Sequence, residues 1–286
     1  MDLITTFQSR TLSPLRSFDA DVKVLGPKHA AQKALEHLRV RVITSFAQGV
    51  EAVLQTAPVV IVANHDHYLL DPPLLFSTLP NRTDLFLIAA HNRILANHLP
   101  NFAQHTIGVH IYHHLAGRRF SPLRPFLNLV RHLPFYSPEE EHQLNIASIA
   151  RASEGVSRGA VVIIFPGVGS DSSNAGRWFK GVGHLLRNVR TRQAAYVVRA
   201  NIKTKGNFLL DFVRFIPLIN RLLPTLYITY SAPEEIGQIV RRNHANPGHI
   251  TADLEVSYKS WVAELRAKIE ETVPEMLCRK HAIIAE

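Results

Sequence analysis

The stretch VVIVANHDHYLLDPPLL, from Val59 to Leu75, decides the fold. Its first five residues are Val, Ile or Ala without polar alternation, which is typical of a buried strand in a parallel sheet. Titratable residues follow at once, among them His65 and Asp71. In open α/β sheets, ligands bind just beyond the carboxyl ends of the strands. The stretch therefore predicts both an α/β fold and a functional site at the end of this strand.

The same kind of apolar, β-branched run recurs along the chain and alternates with helical patterns. Residues Glu139–Gly159 are a helix candidate, because acidic residues at the start favour the positive end of the helix dipole and a glycine closes the segment. Strands that alternate with helices predict αβα layers around a mostly parallel mixed sheet. The other predicted strands are 84–91, 160–165, 195–202 and 225–233, the other helices are 181–193 and 254–277, and 106–115 is a strand or a short helix.

The N-terminal part of the chain is predicted to be helical. A segment that begins with Pro27 and ends with Gly49 has the proline and glycine that commonly flank helices. Its apolar residues recur every three or four positions, as on one helix face; they are Leu35, Leu38, Val42 and Phe46. We expect an N-terminal arm and helix in residues 1–47 and one α/β domain in residues 48–286.

Composition limits the class of protein. The chain has 286 residues, of which 46% are apolar, so it can bury a sizeable core. The single cysteine, Cys278, excludes an internal disulfide and fits a reducing compartment. A net charge of +9 favours anionic partners such as phospholipid headgroups, phosphorylated substrates or acidic carrier proteins. No nucleic-acid-binding motif is present.

The most apolar segment is Phe208 to Ile228, and charged residues and prolines interrupt it. A transmembrane helix needs about 20 nearly uncharged residues, so this segment is not predicted to span a membrane. Two interpretations stay open, a helix that lies on a membrane surface and a helix with a loop in the protein core. We expect no secretory signal at the N-terminus.

His65 and Asp71 suggest a general base and its orienting carboxylate. A carboxylate on one ring nitrogen fixes the imidazole tautomer, and the other nitrogen can then take a proton from a hydroxyl. A structural interpretation competes with this one. In it the histidines lie on a surface loop, and Asp71 caps a helix that begins near Pro72.

A metal site is the second chemical hypothesis. The His-x-His pair of His65 and His67 at a strand end can hold zinc. The familiar hydrolase pattern His-x-His-x-Asp-His needs Asp and His at the positions where Leu69 and Leu70 stand. Further ligands are present in the sequence, but no spacing selects among them, so no metal ligand set is predicted. They are Asp66, Asp71, His110, His113 and His114.

A turn rich in glycine and serine follows the predicted strand 160–165. Backbone N–H groups of such a turn can bind a phosphate, and nearby cations can supply charge. The alternative is a loop whose residues serve only turn geometry. The segment lacks the patterns of a dinucleotide fingerprint, an NTPase phosphate loop and a nucleophile elbow. The candidate phosphate-binding residues are Pro166, Gly167, Gly169, Ser170, Arg177 and Lys180.

These segments together resemble one family. VVIVANH with DPPLL, then GAVVIIFPG, FKGVGHLL, AYVVRANI and TLYITYSAPEEI occur in the order and spacing of the glycerolipid acyltransferases. That family includes glycerol-3-phosphate and lysophosphatidic acid acyltransferases. The resemblance covers roughly residues 48–236. It implies an α/β domain with a His-Asp pair at the mouth of a groove.

The resemblance also implies a reaction. His65 acts as the base on an acceptor hydroxyl, Asp71 orients it, and the hydroxyl attacks the thioester of acyl-CoA or acyl carrier protein. The acceptor is a glycerol-phosphate or lysophospholipid-like molecule near Pro166 to Ser170. No metal, other cofactor or nucleic acid is expected. The implied role is in phospholipid biosynthesis, on the cytoplasmic side of a membrane and peripheral to it.

The chain departs from the family at three places, one of which is the absence of the Arg that the family has between the VVIVANH and GAVVIIFPG blocks. Five residues separate His65 from Asp71 where the family has four, whereas His67 and Asp71 have the i, i+4 spacing of one helix face. His67 is therefore an alternative base. The Glu and Arg of the family's Phe-Pro-Glu-Gly-Thr-Arg block are Gly167 and Ser170 here, so Arg177, Lys180 and Arg199 become the candidate cations. Two other functions stay open, a metal-dependent hydrolase and a non-catalytic lipid-binding relative.

Overall fold

A computed structural model describes residues 3–65, 70–90, 99–110, 136–167, 178–204 and 225–282. Within these ranges the chain forms eight strands and eight helices. The strands are β1 Val42–Phe46, β2 Val59–Ala63, β3 Leu85–Ala90, β4 Thr106–Val109, β5 Val161–Ile164, β6 Tyr196–Thr204, β7 Leu226–Tyr230 and β8 Glu234–Glu235. The helices are α1 Leu3–His37, α2 Val50–Thr56, α3 Asp71–Thr78, α4 Pro100–Ala103, α5 Pro138–Ser157, α6 Gly181–Asn188, α7 Ile236–Arg242 and α8 Pro247–Ala282.

The strands form one mixed sheet in the order β1-β7-β6-β2-β5-β3-β4, with β8 paired to β6. All pairs between β6 and β4 along this order are parallel, as is the pair β1 with β7. The pair β6 with β7 is antiparallel. The predicted mostly parallel mixed sheet is therefore confirmed, and β2 lies near its centre.

Helices cover both faces of the sheet because successive strand residues point to opposite faces. In β2, Val59 and Ile61 face a core shared with α1 and α3, while Val60 and Val62 face a core shared with α5, α6 and α8. All four side chains are at most 1% exposed. This two-sided burial explains why β2 is apolar at every position, and it confirms the predicted layers.

The predicted helix from Pro27 to Gly49 is wrong beyond His37. The segment Val42–Phe46 is strand β1, which pairs along β7. The predicted core residues Val42 and Phe46 do pack against the same core as α1, but from a strand. A spacing of four residues fits one face of a helix and one face of a strand equally well, so the pattern could not separate the two. Strand β1 lies before residue 47, so the sheet includes residues from both sides of the predicted domain boundary.

The N-terminal helical segment is confirmed as α1, which has a break in helical geometry at Gly26 (φ 80°, ψ 166°). That backbone conformation is readily available only to glycine. Asp19, on the first part of the helix, is buried and accepts hydrogen bonds from the backbone N–H groups of Asn101 and Phe102. These bonds cap the start of α4 and attach α1 to the sheet domain.

Strands β6, β7 and β1 extend beyond the carboxyl end of β2. Ala63, the last residue of β2, pairs with Ala200, whereas β6 continues to Thr204. The extra residues of β6 pair with β7, which in turn pairs with β1. This three-stranded extension stands beside the point where His65 leaves the sheet.

A buried arginine, Arg82, holds the opposite, amino edge of the sheet together. Its guanidinium forms a bidentate pair with Asp84 (Nε to Oδ1 2.8 Å, Nη2 to Oδ2 2.6 Å). It also donates to the carbonyls of Leu54 and Ala57 at the end of α2, and to that of Gly159 before β5. These contacts use all five N–H donors of the side chain.

No helix within the described ranges is both long enough and apolar enough to cross a membrane. Most of the apolar segment Phe208 to Ile228 lies outside the described residues, and its last three residues belong to β7.

Candidate active site

His65 and Asp71 meet at the carboxyl edge of the sheet. His65 follows β2 by two residues, and its Nδ1 lies 2.8 Å from Oδ2 of Asp71. The Asp71 side chain is fully buried, and that of His65 is 30% exposed. A carboxylate can only accept, so Nδ1 carries the proton and Nε2 is the basic nitrogen of the ring. The pair therefore has the arrangement of a general base whose imidazole is oriented by a carboxylate.

The local structure around Asp71 explains its availability to His65. Helix α3 begins at Asp71, and Leu70 occupies the N-cap position without a side-chain cap. Pro72 and Pro73 have no N–H group, so the first turn has fewer donors that need a cap. Asp71 is thus a helical residue that accepts from His65, and not the helix cap of the structural interpretation. Five residues between His65 and Asp71 do not prevent the contact.

Phe165 supports the imidazole from the neighbouring strand. It follows β5 directly, and its ring stacks on that of His65 with centroids 4.5 Å apart and planes 21° apart. Strand β5 pairs with β2 in register, so both residues leave the sheet at the same edge. Phe165 is not among the residues predicted for the site, although its position directly after a buried strand was an available signal.

The turn after Phe165 begins beside the His65 ring. The carbonyl of Pro166 accepts from the N–H of Phe179 at 3.0 Å, which brings residues on the two sides of 168–177 together. Gly167 lies next to the indole of Trp178, since a β-carbon there would be 3.6 Å from two of its ring atoms. Trp178 itself is 9% exposed. Pro166 and Gly167 thus directly follow Phe165, the residue whose ring stacks on His65.

The other predicted phosphate-binding residues divide into three groups. Gly169, Ser170 and Arg177 lie outside the described residues. Lys180 is exposed at the start of α6, one residue after Phe179. Arg199 is largely buried and donates to Glu234 at 2.7 Å and to Ser257 at 2.9 Å, so its charge is already paired.

Positive side chains surround His184 near the start of α6. It lies one helical turn after Lys180. Burial lowers the pKa of the His184 imidazole, and the positive charges of Arg187 and Lys180 lower it further. A cation-rich surface close to the Pro166 turn is suited to an anionic ligand.

The metal hypothesis is not tested by these contacts. His67, Asp66, His113 and His114 lie outside the described residues. In the part of the chain that the structure describes, no three side chains of His, Cys, Asp or Glu come together as a metal site. His67 as an alternative base stays a prediction for the same reason.

The fold and the site define an α/β protein with a His-Asp pair at the carboxyl edge of a mostly parallel sheet. A family model described as Acyltransferase matches residues 45–203, which is more than half of the chain. The chain therefore belongs to the acyltransferase family of the glycerol-3-phosphate and lysophosphatidic acid type. Membership of this family supports acyl transfer in general. No curated protein gives a significant match to the chain.

Proposed function

We propose that this protein transfers a fatty acyl group from a CoA or acyl-carrier-protein thioester to a hydroxyl of a glycerol-phosphate or lysophospholipid-like acceptor. The observation that carries the proposal is the 2.8 Å contact between Nδ1 of His65 and the fully buried Asp71. A base with an orienting carboxylate is what a weakly acidic hydroxyl needs before it can attack a carbonyl. The family match supports the reaction type.

In this mechanism the acceptor hydroxyl gives its proton to Nε2 of His65 as its oxygen attacks the thioester carbonyl. A tetrahedral oxyanion forms, and backbone N–H groups of the Pro166 turn are the candidate donors to it. The intermediate then collapses, the C–S bond breaks, and the leaving thiolate takes the proton from the imidazolium. The products are an ester and a free thiol. Asp71 stabilises the charged imidazolium while it exists.

The acceptor phosphate is proposed to bind beside the turn that follows β5. The turn residues Pro166 and Gly167 support this because they lie next to the ring that stacks on His65. Lys180 adds an exposed positive charge after the turn. Gly169, Ser170 and Arg177 belong to the same proposal on sequence grounds. A phosphate needs charge and donors at short range, which glycine-rich turns and cations supply together.

A location at the cytoplasmic face of a membrane, in phospholipid synthesis, follows from a lipid acceptor. Two exposed cations support it, Arg41 before β1 and Lys203 in β6. Both belong to the three-stranded extension beside His65, because Lys203 pairs with Tyr227, and Tyr227 pairs with Ile43 in β1. Anionic lipid headgroups would be attracted to the same side of the molecule as the site.

The first experiment measures thiol release from a panel of acyl-CoA and acyl-carrier thioesters. Glycerol-3-phosphate, lysophosphatidic acid and neutral alcohols are offered as acceptors. The enzymes compared are wild type, His65→Ala, His67→Ala and His105→Ala. His105 is the matched control, because its ring contacts the carbonyl of Leu85 at the amino edge of the sheet (3.0 Å).

We expect acceptor-dependent release that falls about 10²–10⁴-fold in His65→Ala, the usual contribution of a general base. His105→Ala and a chelator should leave the rate unchanged. Loss in His67→Ala with retention in His65→Ala would make His67 the base. Loss with chelator would favour the metal-dependent hydrolase, and no release with any pair would favour a non-catalytic lipid-binding relative.

A further inference from the structure

The residue before the base, Asn64, makes an unusual contact with the neighbouring strand. Its Nδ2 donates to the carbonyl of Ile202 at 2.8 Å, and its Oδ1 accepts from the N–H of Ile202 at 2.7 Å. One side-chain amide thus satisfies both backbone groups of a residue in β6. A parallel ladder normally satisfies such groups with the main chain of the next strand.

The register shows which backbone bonds the amide replaces. The backbone N–H of Tyr196 donates to the carbonyl of Pro58. The parallel pairing of β2 with β6 then runs from Val59 with Tyr196 to Ala63 with Ala200. If β2 continued, the N–H of Ile202 would bond to the backbone carbonyl of residue 64, and its carbonyl would accept from residue 66. The side chain of Asn64 makes both bonds instead. The main chain is therefore released from β6 at this residue.

Tyr258 of helix α8 contacts both Asn64 and strand β6 at the point where β2 ends. Its hydroxyl donates to the carbonyl of Ala200 at 2.9 Å, and it lies 3.3 Å from Oδ1 of Asn64. The ring is 4% exposed and packs between Trp178 and Trp261 at centroid distances of 5.4 Å and 5.8 Å. Helix α8 thus restrains the amide in the position that bonds to β6.

We propose that Asn64 is a positioning residue for His65. By ending the ladder with its side chain, it lets the backbone turn out of the sheet, so that the next residue reaches Phe165 and Asp71. The inference rests on the proposed function in one respect only, the role of His65 as the base. A base displaced by about 1 Å can lose a hundredfold in rate, so a junction that fixes its backbone matters to chemistry.

The chain offers a matched control in Asn145 of helix α5. Its amide makes the same two-point contact with the backbone of His110 after β4, with distances of 2.6 Å and 2.7 Å. The control pair has the same chemistry and ends another strand of the same sheet. It differs in its place, since β5 and β3 separate β4 from β2 in the sheet.

The experiment records long-range 1H–15N spectra of the histidine rings in wild type, Asn64→Ala and Asn145→Ala, without substrate. Carbon-bound ring protons report the tautomer, and the His65 signal is the one lost in His65→Ala. We expect one fixed Nδ1–H tautomer in wild type and Asn145→Ala, and a shift towards a tautomer mixture in Asn64→Ala. Unchanged His65 signals in Asn64→Ala would overturn the proposal.

Turnover gives a second, separate readout once an acceptor is known. We expect kcat of Asn64→Ala to fall roughly 10–100-fold with KM changed less than about threefold, and Asn145→Ala to keep both. If the wild type shows no thioester turnover, the proposed function is wrong. The positioning role of Asn64 is then still decided by the spectra, because they need no substrate.

A third variant decides the matter if Asn64→Ala does not fold. Asn64→Asp keeps the shape and the acceptor for the Ile202 N–H, and it replaces the donor to the Ile202 carbonyl with a carboxylate oxygen. A shift of the His65 ring signals towards the tautomer mixture is expected here as well. Signals identical to wild type in a folded Asn64→Asp would overturn the proposal.

Discussion

The two edges of the sheet each hold a carboxylate that is paired with a nitrogen-bearing side chain, and the two pairs are built in opposite ways. At the carboxyl edge the acid is hidden and the base is accessible, since Asp71 is fully buried and His65 is 30% exposed. At the amino edge the base is hidden, since Arg82 is 13% exposed and Asp84 is 42% exposed. The accessible partner is the titratable imidazole in the first case and the carboxylate in the second.

The difference lies in what the nitrogen-bearing side chain of each pair does with its donors. Arg82 uses every N–H on Asp84 and on three backbone carbonyls at the ends of α2 and α5. Its charge also suits the negative ends of those helices. His65 places Nδ1 2.8 Å from Oδ2 of Asp71, and the tautomer so fixed makes Nε2 the basic nitrogen. An arginine that uses every N–H donor in structural contacts stabilises the fold, whereas an imidazole with a basic nitrogen can accept a proton in a reaction.

The largest expected effect is the loss of turnover when Asp71 is replaced, and the same substitution at Asp84 is its control. Asp71→Asn should lower thiol release about 10²–10⁴-fold, because the imidazolium loses the carboxylate that stabilises it. Asp84→Asn should leave the rate within about threefold, because Asp84 is at the other edge. Rates from the thioester assay compare the two variants directly. Equal rates in both would mean that Asp71 does not act on the base.

The next effect concerns stability at the amino edge. Arg82→Ala should lower the free energy of unfolding by about 2–4 kcal/mol, because it leaves the carbonyls at two helix ends and Asp84 without their donor. The control is Arg158→Ala, which removes an arginine that is 76% exposed and pairs with Glu154 within α5. That variant should change stability by less than about 1 kcal/mol.

Urea unfolding followed by circular dichroism measures both arginine variants. Turnover per folded molecule should stay at the wild-type level in Arg82→Ala. A variant that keeps its stability but loses turnover would contradict the division of roles between the two edges.

The smallest effect is a pH dependence of stability that arises from Asp84 at the amino edge. Hydrogen bonding from Arg82 lowers the pKa of Asp84 below its ordinary value of 3.8. A lowered pKa in the folded state contributes stability above the ordinary pKa, and this contribution disappears as pH falls through the lowered value. Asp84→Asn should therefore be less stable than wild type at pH 6, by at most about 1 kcal/mol, since Asp84 is partly exposed.

That difference should vanish below the lowered pKa of Asp84. The measurement is urea unfolding of both proteins between pH 6 and the most acid pH at which the wild type is still folded. In an Arg82→Ala background the same substitution should show no such pH dependence. If the stability difference between Asp84→Asn and wild type stays constant across this pH range, the Asp84 carboxylate does not contribute stability through its lowered pKa.

Much of the fold could be predicted because the decisive segments are locally consistent. Helix α5 is capped by Ser137, whose hydroxyl accepts from the N–H of Glu140 while the Glu140 carboxylate accepts from the N–H of Ser137. Such a capping box acts within four residues, so it is readable from sequence. The buried strands β2 and β5 were equally clear because both faces are covered and every residue is apolar.

The predictions failed where a long-range pairing decided the structure. The apolar spacing of strand β1 suits both a helix and a strand, so the predicted helix end was wrong, and pairing with β7 selects the strand. Asn64 and Arg82 were missed because their partners are 138 residues and up to 77 residues away in the sequence. A polar residue with distant partners has no local signature.

The α/β class, the buried strand β2 and the candidate pair His65 and Asp71 could be read from the sequence, because apolar runs and residue order at a strand end are local properties. Only the tertiary structure decided that His65 contacts Asp71 across five intervening residues. The reason is that β2, β5, β6 and α3 meet at one edge of the sheet. Phe165 stacks there on the imidazole, and Asn64 ends the ladder beside it. Contacts between elements fix that geometry, and no local pattern contains them.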